Sequence, residues 1–242
     1  MVEATRRRAI RAILFDKDGT LIDFQRSWGP VLREAAHLAA PGDSALARRL
    51  MMAGGMDPET LITAADTIFA AGNTAEIADL FRENGSRLPR EPLISDLDRI
   101  FVAAAERGVP VVPLRPLFET LCTTGFRLGL ASSDSEAAIR RLLELEGIAD
   151  LVEFVAGYDS GHGVKPEPGM ALAFSATLGL PTSAIAMVGD NRHDMRMGRA
   201  ARCGLCLAVL TGTGTPERLA PESDAVLASI AELPRFFSEQ SI

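Results

Sequence analysis

The chain has 242 residues, 47% of them hydrophobic, enough for one large domain or a domain with a smaller companion. With 32 acidic against 25 basic residues the net charge is −7, and no sustained basic face is available to follow a nucleic-acid backbone. The first apolar run is only about five residues long before Asp16, which excludes a secretory signal or a membrane span and leaves the cytoplasm as the default location.

The basic run Arg6 to Arg8 reads as a solvated leading tail. Behind it, short apolar runs at residues 9–15, 127–131, 151–155, 184–188, 205–210 and 225–228 read as strands, mostly separated by helical patterns. That alternation predicts an α/β fold, a Rossmann-like parallel sheet with helices on both faces. One interval breaks it. Residues 24–108 carry only helical signals: Leu97, Ile100, Phe101, Ala104 and Ala105 keep one apolar face behind a candidate N-cap at Ser95, and Asn73 with Glu76 has capping-box spacing ahead of Ile77, Leu80 and Phe81. The expectation is an α/β core from residues 1–23 and 109–242, interrupted by an all-helical domain at 24–108.

The three cysteines, Cys122, Cys203 and Cys206, make no disulfide framework. In "CGLC" Gly204 reads as a helix stop and residues 205–210 as a buried strand, so both thiols are expected in the core. His37, His162 and His193 are scattered without ligand spacing.

In an open parallel sheet ligands bind beyond the carboxyl ends of the strands. Four polar clusters fall there: "DKDGT" from Asp16, "SSDS" from Ser132, the loop leading to "VKPEP" with Lys165, and "GDNRHD" from Gly189. Asp16, Asp18, Asp190 and Asp194 would crowd negative charge into one crevice, which calls for a divalent cation, and oxygen donors of this kind suit Mg²⁺. Ser132, Lys165 and the free amides of the turn after Ser132 suit a phosphate. Of 25 basic residues only Lys17 and Lys165 are not arginine, so a lysine at a strand end marks a place for a compact ammonium. Lys17 is expected to be structural, its side chain turned away from the flanking aspartates and only its amide near phosphate.

"DKDGTL", Ser132 in "LASS", Lys165 in "VKPEP" and "GDNRHD" resemble, in order, the four motifs of the haloacid dehalogenase superfamily, and the helical insert resembles the cap of its phosphoglycolate phosphatase-like and beta-phosphoglucomutase-like members. The resemblance implies a Mg²⁺-dependent phosphatase acting on a small phosphorylated substrate such as phosphoglycolate, as a monomer or homodimer. It implies Asp16 as the nucleophile that becomes an aspartyl phosphate, and Asp18 as the acid and base whose backbone carbonyl also ligates the metal. Asp190 would be a metal ligand beside Asp16, and Asp194 would orient metal-bound water or Lys165. Ser132, Ser133 and Lys165 would bind the phosphoryl group. Gly19 and Thr20 would turn the chain from the strand, and Gly189 would keep the approach to Asp190 open.

Asp18 argues against a dehalogenase, and the absence of lysine from the insert argues against a phosphonoacetaldehyde hydrolase. A sugar-phosphate mutase shares all four motifs and would need a second phosphate site in the cap, for which Arg48 or Arg49 is a candidate. A binding protein without turnover would be expected to lack Asp16 or Asp18. Trp28 could line the cleft mouth or simply pack, and His162 and His193 could reach substrate. Closure is expected to hinge at residues 23–27 and 108–113.

Overall fold

A computed structural model describes residue 7 and residues 9–238. Arg6 and Arg8 of the basic run lie outside the described residues, as does the side chain of Ala105.

The chain opens with β1 (Ala12–Phe15), then runs through five helices, α1 (Phe24–Ala39), α2 (Ser44–Gly54), α3 (Ile68–Ala71), α4 (Thr74–Glu83) and α5 (Arg90–Ala104). After them come α6 (Leu114–Thr123), β2 (Arg127–Ala131), α7 (Glu136–Leu145), β3 (Val152–Ala156), α8 (Gly169–Leu178), β4 (Ile185–Gly189), α9 (Arg192–Ala200), β5 (Leu205–Val209), α10 (Pro216–Leu219), β6 (Ala225–Leu227) and α11 (Leu233–Ser238). The six strands form one sheet in the order β3-β2-β1-β4-β5-β6, with every pair parallel. The fold is thus the Rossmann-like α/β class expected. Strand bounds shift by a residue or so, except that Ala9 is helical and β1 begins at Ala12.

β1 is buried along its whole length because helices cover both faces. Ile13 and Phe15 enter one layer with Phe118 of α6 and Ile139 and Leu142 of α7, while Ala12 and Leu14 enter the other with Phe174 of α8 and Met195 and Met197 of α9. Cys203 and Cys206 belong to the second layer as buried thiols outside any disulfide, and burial pushes the Cys203 thiol up to about 12.

Helices α1 to α5 close a third cluster of their own, around Leu32, Leu50, Phe81, Leu93 and Leu97. Asn73 caps α4 with the reciprocal bonds of a capping box, as its spacing predicts. The Ser95 cap is a correction. α5 starts five residues earlier, at Arg90, with Leu93 N–H already donating to Pro89 O. Pro92 sits in the first turn, where its missing N–H has no intrahelical acceptor to lose, so it does not delay the helix. Leu93, Leu97, Phe101 and Ala104 form the buried stripe. The two chain crossings between insert and sheet run side by side: Asp23 N–H donates to Val109 O at 2.9 Å, Val109 N–H to Ser27 Oγ at 3.0 Å and Val111 N–H to Leu21 O at 2.9 Å.

Candidate active site

β1 lies between β2 and β4, so the segments leaving these three strands meet at one end of the sheet. Phe15 is in register with Leu130 and with Val188, so Asp16 leaves the sheet at the same end as Ser132 and Asp190 and one residue ahead of them. Asp16 is 7% exposed, Ser132 2%, Lys165 7%, Asp190 2% and Asp194 2%. All five line one pocket, together with Asp18 and Ser133, under a roof of insert residues.

Lys165 Nζ lies 2.5 Å from Asp16 Oδ1 and 2.6 Å from Asp194 Oδ1. Burial opposes its charge, but the two carboxylates outweigh burial and hold the ammonium above its usual range. The Asp16 carboxyl is raised to about 7, first by burial and then by Asp194 and Asp18, against the downward pull of Lys165. Asp190 is raised well above the carboxylate range, by burial and then by Asp16 and Asp194. Ligand oxygens of Asp16, Asp190 and Asp194 lie within 4.8 Å of one another. Three buried hard-oxygen donors whose charges oppose one another fit a divalent cation such as Mg²⁺. Asp194 is the most committed of the three, because its second oxygen accepts the Asn191 N–H at 3.0 Å in the capping box that starts α9.

The turn after β1 needs its glycine. Gly19 has φ +84°, and a Cβ there would stand 2.5 Å from Asp190 Cγ. Thr20, fully buried, follows within the same turn, in which Leu21 N–H returns to Lys17 O at 2.8 Å. Gly189 does something other than keep the approach to Asp190 open: a Cβ there would fall 2.3 Å from Asp194 Cγ, so its bareness makes room for the Asp194 carboxylate.

Lys17 differs from expectation. Its side chain does turn from Asp16, but toward Asp18 and not away from it: Nζ is 2.6 Å from Asp18 Oδ2 and 3.0 Å from Asp134 Oδ2. Alternation along a strand no longer governs side chains once the strand has ended at Phe15, and buried Asp134 attracts the ammonium from the far side. Burial disfavours the Lys17 charge, yet Asp18 and Asp134 hold it above its usual range. Trp28 of α1 donates its indole N–H to Asp18 Oδ1 at 2.5 Å while its ring stacks near Phe24 and edges onto Phe101. It both lines the cleft and packs.

Ser132 Oγ accepts the Asp134 N–H at 3.1 Å, which shapes the turn into α7. The Ser133 hydroxyl donates to Ala71 O of α3 at 3.0 Å, joining core to insert. Arg48 and Arg49 are not at the pocket: Arg48 pairs with Glu59 at 2.6 Å on the surface, and Arg49 reaches Asn84 O. They sit on the solvent face of α2, whose buried side is Ala47, Leu50 and Met51. His162 is exposed beside Phe154 and away from the pocket, while His193 lines it.

Two contributors escape the sequence reading. Asp134 stands inside "SSDS", where a third polar residue gives no sign of its lysine partner. The loop after β5, "TGTGT" from Thr211, cradles Asp190: Thr213 N–H donates to Asp190 Oδ2 at 2.9 Å and Thr211 Oγ1 to Gly19 O at 2.6 Å. A Gly/Thr run directly after a parallel strand was the available signal, at the same sheet end as the other four clusters.

The sequence profile of the haloacid dehalogenase-like hydrolases matches residues 10–202. The phosphoglycolate phosphatase of Yersinia pseudotuberculosis is 29% identical over 234 residues, spanning 93% of this chain and 92% of that protein. The phosphoglycolate phosphatase of Salmonella typhimurium is 31% identical over 212 residues, 80% of this chain and 79% of its own length. Among solved structures, CbbY from Rhodobacter sphaeroides in complex with phosphate superposes with TM-score 0.69 at 23% identity, covering 93% of this chain and 96% of that one. A hydrolase from Pseudomonas syringae gives 0.67 at 19% identity over 93% and 96%. At those identities the structures speak for the fold alone. With a family profile over most of the chain, relatives above 30% identity and the shared fold, the chain belongs to the haloacid dehalogenase-like hydrolase family, as an enzyme of the phosphoric monoester hydrolase class.

Proposed function

We propose that the protein is a Mg²⁺-dependent phosphatase of a small phosphate monoester, working through an aspartyl-phosphate intermediate. The observation that carries this reading is the pair Asp16 and Asp18 at the end of β1, with Lys165 Nζ 2.5 Å from Asp16 Oδ1 in a buried pocket. The relatives named phosphoglycolate phosphatase support the monoester class.

In this mechanism an Asp16 oxygen attacks phosphorus in line with the ester oxygen, and the P–O bond to the alcohol breaks as the aspartyl phosphate forms. Lys165 favours the ionised form of Asp16 and faces the phosphoryl oxygens, with Ser132 and the amides of Lys17, Asp18 and Ser133 as further donors. Asp18 gives its proton to the leaving alcohol, then takes one from the water that attacks the intermediate and returns Asp16 to its carboxylate. Asp16, Asp190 and the Asp18 carbonyl would hold the metal, with Asp194 orienting Lys165; the ion would neutralise charge on the transferring group. Residues 24–108 act as a cap that hinges at the paired crossings near Asp23 and Val109, opening for substrate and excluding water when closed. The site is complete within one chain, which suits a monomer or a homodimer.

The test is phosphate release from acetyl phosphate and simple monoesters with Mg²⁺, beside Asp16→Asn. The reading expects metal-dependent turnover in the parent and, in the parent alone, a mass increase of one phosphoryl group on quenching. A folded Asp16→Asn protein that retains full turnover overturns it.

A further inference from the structure

We infer that the substrate's alcohol portion is uncharged and apolar, an alkyl or aryl alcohol carrying no second acidic group. This rests on the phosphatase reading above and concerns the other half of the same pocket.

The two halves of the pocket differ in chemistry. The sheet side supplies the carboxylates, Ser132 and Lys165. The cap side presents Phe24, Trp28, Leu32, Phe69, Ile77 and Phe101, each no more than 9% exposed. The polar atoms on that side are largely taken. The Trp28 indole N–H is given to Asp18, Ala71 O accepts from Ser133, and Gly72 N–H donates to Ile68 O at 2.8 Å. Thr74 is the one hydroxyl-bearing cap residue at the wall.

Cations are missing where a second anion would lie. Residues 24–108 contain nine arginines and no lysine, and among the described residues none of the nine lines the pocket. Eight are exposed, and Arg90 is half-buried against Asp79 at 2.8 Å. On the sheet side Lys165 is shared by Asp16 and Asp194, and Lys17 by Asp18 and Asp134. Among the described residues His193 is the one further basic side chain at the wall, and it projects from core helix α9. A carboxylate or second phosphate held under the closed cap would therefore exchange water for aromatic and aliphatic carbon without a cation, which strongly disfavours it. An apolar chain or ring meets the same wall favourably, and the packed rings hold their places, with Trp28 and Phe101 centroids 5.1 Å apart.

The experiment compares kcat/KM, at saturating Mg²⁺, for n-butyl phosphate, its ω-carboxylate analogue 4-phosphooxybutyrate, and phosphoglycolate. The first pair matches leaving-group reactivity and length and differs by one charge. We expect n-butyl phosphate to be preferred by about 100-fold or more over either acid. A second arm uses Ala70→Arg, a partly exposed wall position on α3 where a guanidinium can reach the cleft without filling the core. That variant should narrow the preference at least about tenfold by gaining activity on the carboxylates. Turnover of phosphoglycolate at or above the rate for n-butyl phosphate overturns this inference and leaves the phosphatase reading standing. Failure to hydrolyse acetyl phosphate or any ester overturns both.

Discussion

The indole N–H of Trp28, on the first cap helix, donates to Asp18 Oδ1 at 2.5 Å, so a residue of the insert holds the carboxyl group placed two residues after Asp16. Asp18 has a second hold from Lys17 Nζ at 2.6 Å. One partner comes from its own turn and the other from the helical insert, which is proposed to open for substrate. The proton transfer proposed for Asp18 would thereby be tied to the position of the helical insert.

Trp28→Phe separates the hydrogen bond from the packing. The ring keeps most of its contacts with Phe24 and Phe101, while the N–H is lost. A hydrogen bond to a charged group contributes about 1.5–3 kcal/mol, so kcat should fall roughly 10- to 100-fold. Melting temperature should fall by only a few degrees. Unchanged kcat and pH profile would mean that Lys17 alone positions Asp18.

Lys165→Arg preserves charge in a protein that otherwise uses arginine almost everywhere. The Lys165 side chain is 2% exposed and closes on Asp16 and Asp194 at 2.5 and 2.6 Å, which leaves no space for a planar fork. A loss of about 100-fold or more in kcat/KM is expected, with about 1–3 kcal/mol of stability lost to overpacking. Near-normal efficiency would remove Lys165 from phosphoryl binding.

Metal should matter most at high pH. The Asp16 carboxyl is raised to about 7 in the metal-free protein, mainly by burial. A group whose folded pKa is raised favours the fold when protonated: that contribution is complete below the unfolded value of 3.8 and fades as pH rises through about 7. The metal-free melting temperature should therefore fall between pH 5.5 and 8, and Mg²⁺ should raise it more at pH 8, where the carboxylates are ionised and repel one another. Asp190→Asn should shrink the Mg²⁺ increment. A Mg²⁺ increment that is the same at both pH values would contradict a carboxylate metal site.

Much of this arrangement is legible in the chain because parallel strands bring their carboxyl ends to one place. "DKDGT", "SSDS", "VKPEP" and "GDNRHD" each follow a strand, so their meeting needs only the strand assignment and the rule that ligands sit at that edge. What stays hidden depends on side-chain direction after the strand ends. Lys17 finds Asp134, 117 positions along, and no periodicity encodes that choice. Arg48 and Arg49 looked available because helix α2 alone does not say which face the pocket uses, and the buried face is the one with Leu50 and Met51. Ser95 looked like a cap because it stands just ahead of the apolar face that starts at Leu97, although the helix already runs from Arg90, a proline in its first turn breaking nothing.

Gly19→Ala isolates the backbone demand of the same turn. With φ +84° the residue lies where an L side chain is strained, at a cost of order 1–3 kcal/mol. A methyl group would also stand 2.5 Å from Asp190 Cγ, 2.6 Å from its Oδ2 and 2.7 Å from Gly212 Cα. None of these can yield easily. Asp190 is fixed by the Thr213 N–H, and at Gly212 a side chain of its own would strike Asp190 Oδ2. The strain and the clash therefore act on two things at once, the turn that delivers Asp18 and the carboxylate proposed to hold metal. We expect a destabilisation above about 2 kcal/mol in urea unfolding together with at least a tenfold weaker apparent affinity for Mg²⁺. The second readout is the decisive one. A variant that is destabilised but binds Mg²⁺ normally would place Gly19 in the fold alone, with Asp190 free to adjust around the added methyl group.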